Sequence, residues 1–167
     1  MNLNEANWAV LLAKLKEGSL ADEEIGSTIV RLAKPLDPER IAAAEETVLS
    51  YSNHPNSWAR HEVLWFITWA KLRNHKGILI RALQKDPNPD NRGFAALCLA
   101  HLLGRAGDAN SVQALKARVL DENEERLVRL NSYGALLEIV QGANGSEFFS
   151  GSAGVDKVDL SWLGSLP

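Results

Sequence analysis

The sequence predicts an all-α chain, an α-solenoid of about four antiparallel helical hairpins followed by an irregular C-terminal tail. Three observations carry this. From residue 4 to about 142 the apolar residues recur at spacings of three and four, not in the two-residue alternation of a half-buried strand. The breaks between these runs are short and polar. Arg60, Arg92 and Arg129 each stand near the start of an apolar run, 32 and 37 residues apart. Recurrence in that range marks stacked units, none of which buries its own apolar face alone.

The first hairpin pairs 4–17 with 20–34. Trp8, Leu11, Leu12 and Leu15 face inward from its first helix, which stops at Gly18, a residue that tolerates the left-handed cap. Ile25, Ile29 and Leu32 share one face of the second helix, and Pro35 ends it. The second hairpin pairs 37–51 with 56–73, with Asp37 as N-cap and Pro38 at the first helical position. The third pairs 75–85 with 89–105 across Asp86-Pro87-Asn88-Pro89-Asp90, and the fourth pairs 109–121 with 124–141. This makes a repeat domain over 1–142. Residues 143–167 have linker composition, with Gly and Ser at 145, 146, 150, 151, 152 and 154. They also carry Phe148, Phe149, Leu160, Trp162 and Leu163, too apolar for a purely solvated end. Docking of this tail on the repeat domain is expected, either as a cap over helix 124–141 or in the groove.

With 167 residues, 46% of them hydrophobic and 23% charged, the chain suits a soluble domain. A net charge of −3 argues against broad counterion-driven binding to nucleic acid. Cys98 is the single cysteine, which excludes an internal disulfide and a thiolate zinc cluster. It lies mid-helix without a flanking cation, as an inert packing thiol. Residues 1–5 lack the basic start and apolar core of a signal peptide, and the most apolar stretch, 63–70, is far shorter than the roughly 20 residues of a membrane span. A cytoplasmic location is expected, with no membrane association.

No motif for catalysis occurs: G-x-S-x-G, phosphate-binding and dinucleotide glycine loops are absent. His61-Glu62 opens an H-E-x-x-H pattern, but Trp65 stands where the second His belongs. No metal and no cofactor is expected.

The turns 52–60, 85–92 and 120–129 can be laid over one another, each with Asn53, Asp86 or Asp121 ahead of its Arg, and Gly104-Arg105-Ala106-Gly107-Asp108-Ala109 links two units. Over about residues 37–141 this pattern resembles the HEAT-like repeats named for the phycobilisome lyases. The resemblance implies a structural ladder in which Arg60, Arg92 and Arg129 join turn carboxylates and carbonyls, among them Asp86 and Asp121. Asn53 replaces the usual Asp, and Arg126 rivals Arg129 in the longer last turn. The resemblance further implies that residues one, five and nine after each Arg point away from the hairpin: His61, Trp65 and Trp69, then Gly93, Leu97 and His101, then Leu130, Gly134 and Glu138.

A helical wheel reaches the same face for the second hairpin. At 100° per residue Trp58, Glu62, Trp65 and Trp69 form one stripe and Ala59, Val63, Ile67 and Ala70 the opposite one. The second stripe is core. The first is covered by neighbouring helices, by the tail, or by a partner, and indoles in such a place make strong contact sites. The candidate partner site is thus Trp58, His61, Glu62, Trp65, Trp69, Arg73, Leu97, His101 and Glu138, and the expected function is non-enzymatic binding of a protein or peptide, as in a small adaptor or a toxin-neutralising immunity protein. The same resemblance admits a bilin-handling lyase or an alkylpurine-glycosylase-like DNA-binding protein, the latter against the charge balance.

Overall fold

The computed structural model describes residues 5–34 and 37–167. Helices make up 76% of the chain and no strand occurs among the described residues, so the three-and-four periodicity is helical throughout. The chain folds as two compact units, Met1–Leu72 and Arg73–Pro167.

In the first unit, α1 (Glu5–Glu17) ends where Gly18 takes φ +65° and Ser19 donates its N–H back to the Lys14 carbonyl. The expected start of this helix at Asn4 and the expected stop of the next at Pro35 lie outside the described residues. Trp8 and Leu15 are buried, whereas Leu11 and Leu12 are only half-buried. In α2 (Asp22–Ala33), Ile25, Ile29 and Leu32 form the core stripe. Trp8 Nε1 donates to the Leu32 carbonyl at 3.2 Å and ties α1 to α2. In α3 (Pro38–Ser50) the Asp37 carboxylate caps the Glu39 N–H and Pro38 opens the helix, where its missing N–H costs nothing. A single 3-10 turn, Tyr51–Asn53, leads toward α4 (Ser57–Trp69). The main packing partner of α4 is α2, and α3 touches α4 only lightly.

In the second unit, a short 3-10 turn (Arg73–His75) precedes α5 (Lys76–Lys85), α6 (Pro89–Leu103), α7 (Ala109–Leu120) and α8 (Arg126–Leu136). Asn88 and Asp108 cap α6 and α7 with their side chains. α5 packs on α6 and α7 on α8, and in addition α5 touches α7 and α6 lies against α8. The expected single helix 124–141 is α8 followed by a π turn, Leu137–Gln141, ending at Gly142 with φ +65°.

The last 25 residues belong to this unit. α9 (Ser146–Phe149), a 3-10 turn (Val155–Lys157) and α10 (Leu160–Ser165) fold back so that Phe148, Ala153 and Leu163 are buried. Tyr133 of α8 receives Phe148 edge-on at 4.9 Å and Trp162 at 5.7 Å. Gly134 and Gly145 let the backbones meet, since a Cβ on Gly145 would lie 2.5 Å from the Gly134 carbonyl oxygen. Arg126 donates to the Ala153 carbonyl at 2.8 Å and Lys116 to the Leu166 carbonyl at 2.7 Å.

Candidate binding site

The local fold of α4 starts at its turn. Asn56 accepts the N–H of Trp58 at 2.8 Å and of Ala59 at 3.3 Å, satisfying two of the donors a helix start leaves orphaned. Its amide donates to the Asp22 carbonyl, tying this turn to the start of α2. Arg60, buried, donates through Nη1 to the His54 and Pro55 carbonyls at 2.8 and 2.9 Å. The far end closes over Lys71, whose φ of +54° is the left-handed cap conformation in a non-glycine residue.

Between these ends Ala59, Val63, Phe66 and Ile67 are fully buried, and the opposite stripe carries the indoles. Trp69 is 51% exposed and Trp58 44%, while Trp65 is half-buried. The Trp65 and Trp69 rings stand 5.0 Å apart at a 33° tilt, one helical turn from each other. Trp58 lies over Gly26 of α2, where a Cβ would come within 2.7 Å of the ring. Its Nε1–H donates to Glu62 Oε1 at 2.9 Å, and His61 Nδ1 is 3.3 Å from that same oxygen.

Glu62, named among the candidate partner-site residues, is therefore not open to a partner. It is 8% exposed and committed to the indole N–H, because a carboxylate one turn after Trp58 on the same face reaches its donor.

In the second unit Arg73 is exposed, His101 is exposed on α6, and Leu97 is half-buried one turn before it. Glu138 is half-buried in the π turn, where it accepts the Gly145 N–H at 3.4 Å. Three positions expected to point outward are buried instead. Gly93 faces Asn131, Leu130 is fully covered, and Gly134 lies beneath Phe148 and Phe149.

The arginines bond turn carbonyls and, at Arg92, one turn carboxylate, but the Asp86 side chain is not the partner of Arg92, nor the Asp121 side chain that of Arg129. Arg92 Nη1 donates to the backbone carbonyl of Asp86 at 2.8 Å, while the Asp86 carboxylate accepts the N–H of Asn88 and the amide of Asn91. The ionic partner of Arg92 is Glu124, gripped by Nε at 2.9 Å and Nη2 at 2.6 Å in a bidentate fork. Arg118 Nη1 adds a third bond to Glu124 at 3.2 Å, and the Glu125 N–H a fourth. Burial opposes ionisation of Glu124, but the bonds from Arg92 and its neighbours outweigh it and hold the carboxyl below its ordinary range. Arg92 is correspondingly raised, first by its bond to Glu124. Asp121 accepts the Asn123 N–H and faces Arg118, and Arg129 donates to the Val119 carbonyl. Arg126 holds the tail. Lys76 and Asp108 pair at 2.5 Å, and that bond lowers the Asp108 carboxyl.

No protein-family model, curated protein or solved structure shows a significant match to this chain. Among the described residues no cluster of His, Cys, Asp or Glu is set to hold a metal, Cys98 is buried, and no helix is long and apolar enough to cross a membrane. The chemistry on offer at α4 is contact chemistry: two stacked, partly open indoles whose N–H groups make no hydrogen bond among the described residues.

Proposed function

We propose that the protein is a non-enzymatic helical-repeat binding module that holds a protein or peptide partner on the indole face of α4. The observation that carries this reading is the Trp65–Trp69 pair. The helix already has a complete core stripe on its other side, so stability does not call for two more aromatics here, one of them half in water. Exposed, mutually supported indoles offer large contact area at small entropic cost, the property that makes Trp frequent at binding hot spots.

HEAT-like repeats are the architecture we propose. Supporting it, α5 with α6 and α7 with α8 form two successive pairs that also pack first helix to first and second to second. Arg92 reaches from its own turn to Glu124, 32 residues on, the same step that separates Arg60 from Arg92. In such an array α4 is the second helix of its pair, the kind that lines the concave side. A cytoplasmic adaptor or an immunity protein is the role we propose for it.

The test is affinity capture with the full chain as bait, followed by titration of the purified partner. Trp65→Ala with Trp69→Ala is expected to abolish binding while helical content is unchanged. A folded double variant that holds the same partner with the same affinity sinks the reading.

A further inference from the structure

The charges beside the indole pair of α4 are sorted along the first unit. α2 and α4 run side by side from a common end, where the Asn56 amide bonds the Asp22 carbonyl and the Trp58 ring lies over Gly26. With 12 and 13 residues, each rising about 1.5 Å, the two helices also end level. The acids of α2, Asp22, Glu23 and Glu24, stand at the end away from Trp69, and Arg31 and the capping Lys34 stand at the near end. On α4 itself Glu62 is buried and holds the Trp58 N–H, and no Asp or Glu follows it before Asp86. The charges that α2 and α4 place at the Trp65–Trp69 end are thus cations. Lys34 and Lys71 are exposed there, and neither has an ion-pair partner among the described residues.

Lys71 holds its place at a conformational cost. Its N–H bonds the Thr68 carbonyl at 3.2 Å and the Leu72 N–H the Ile67 carbonyl at 3.0 Å, which pins it in the left-handed cap at φ +54°. The other positive φ values among the described residues belong to Gly18, Gly104, Gly142 and Gly151, the residue type that enters this region without a Cβ clash. A lysine where glycine is the better cap points to a use for its ammonium group.

The chain contains an example of the kind of segment such a face accepts. Residues 143–167 carry Glu147, Asp156 and Asp159 against the single Lys157, with Phe148, Trp162 and Leu163 among them. This acidic, aromatic stretch meets Tyr133 of α8 through Phe148 and Trp162, while Arg126 and Lys116 bond its backbone carbonyls. α4 presents the same two elements, aromatic rings beside cations, with Trp69 half in water.

We propose that the occupant of the α4 face is an acidic peptide segment, with an aromatic or large aliphatic side chain on the Trp65–Trp69 pair and flanking Asp or Glu at Lys71 and Lys34. The inference rests on the reading of α4 as a partner site and adds the charge of the partner, since matched charge sets specificity more than raw affinity.

The experiment measures fluorescence anisotropy of three labelled 12-residue peptides against the full chain. They share a Leu-x-x-Phe core and differ in flanks of Asp and Glu, of Ser and Gln, or of Lys and Arg. The acidic peptide should bind about tenfold tighter than the neutral one and lose that advantage as salt is raised. The basic peptide should bind least. Lys71→Gly should raise the urea midpoint, because glycine relieves the cap, and yet weaken the acidic peptide by about tenfold, as loss of a charge-assisted bond does. Lys34→Glu with Lys71→Glu should invert the ranking of the three peptides, and Lys14→Gln on α1 should alter nothing. Equal affinity for all three peptides, unchanged acidic binding in Lys71→Gly, acidic binding that survives Trp65→Ala with Trp69→Ala, or no binding of any peptide would each overturn the proposal. Self-association through the same indoles, seen by sedimentation without peptide, would overturn it in favour of a second copy. Equal affinities that still vanish with the indoles would leave α4 a partner site and remove only its preference for acids, so the two readings fail separately.

Discussion

Two aromatic groups, one on α4 and one on α8, show the same residue types put to opposite ends. On α8 the Tyr133 ring is met edge-on by Phe148 and Trp162, its hydroxyl accepts the Asp159 N–H, and the chain's own last 25 residues supply the cover. On α4 Trp58, though 44% exposed, is at least held from within the chain, by Gly26 beneath its ring and Glu62 at its N–H. Trp65 and Trp69 have each other and open surface. An aromatic stripe is therefore neither core nor site by composition. What decides is whether the chain provides a lid and an acceptor, and the contrast predicts large stability effects at α8 and small ones at the end of α4.

The strongest break of this contrast is Phe148→Ala. Deleting a buried Phe typically costs about 3–5 kcal/mol, and here it also frees the contact that closes the tail over Gly134. Chemical denaturation should show that loss, and hydrogen exchange should show residues 146–166 opening first.

Next comes the fork at Glu124. Arg92→Met leaves a carboxylate with 2% side-chain exposure short of its main partner, a class of change that costs about 3 kcal/mol. Pairing it with Glu124→Leu should recover most of that, because both charges then leave together. The pH dependence has a definite sign. Glu124 and Asp108 are lowered in the folded state, so their contribution is full above about pH 5 and fades as pH falls from about 4 through the folded-state values. Thermal midpoints should drop steeply in that window, and Glu124→Gln should flatten the drop while lowering stability at neutral pH.

Much of this fold is legible in the sequence, for local reasons. Asp37-Pro38 and Gly18 mark helix ends because a cap or a left-handed residue acts within three positions of itself. What stays hidden depends on pairs distant in the chain. Gly26 reads as a weak spot in α2 until Trp58 is seen lying on it, 32 residues away. Glu124 is masked by Asp121, which occupies the place where the ladder pattern would put a carboxylate, and the π turn has no composition of its own. The indole stripe of α4 is legible from spacing alone, but its exposure is not, because spacing leaves open whether a helix or the tail covers it. The burial of Glu62 is not, since a wheel assigns a direction and ignores the indole N–H within its reach.

Gly26→Ala tests the half of α4 where Trp58 rests on α2. The added methyl must displace the Trp58 ring, which sits too close to it. Overpacking of this kind costs about 1–3 kcal/mol, more than the roughly 1 kcal/mol that replacing a mid-helix glycine by alanine returns. A net loss, with the α2 and α4 amides shifted together in NMR spectra, is the expected outcome. A gain in stability would mean that Trp58 moves freely and that its pairing with Glu62 holds little.

Trp69→Ala should have the smallest effect on folding. Half of the side chain is already in water, its N–H has no acceptor among the described residues, and it is the last residue of the helix. The contact it forfeits is with Trp65, and pairs of this kind contribute about 0.5–1.5 kcal/mol. Alanine, the better helix former, returns part of that. Urea midpoints for Trp69→Ala and for the wild type should therefore differ by under about 1 kcal/mol in free energy, against several for Phe148→Ala. If the two substitutions proved equally costly, the open indole pair would be part of the core after all, and the face of α4 would lose its claim to a partner.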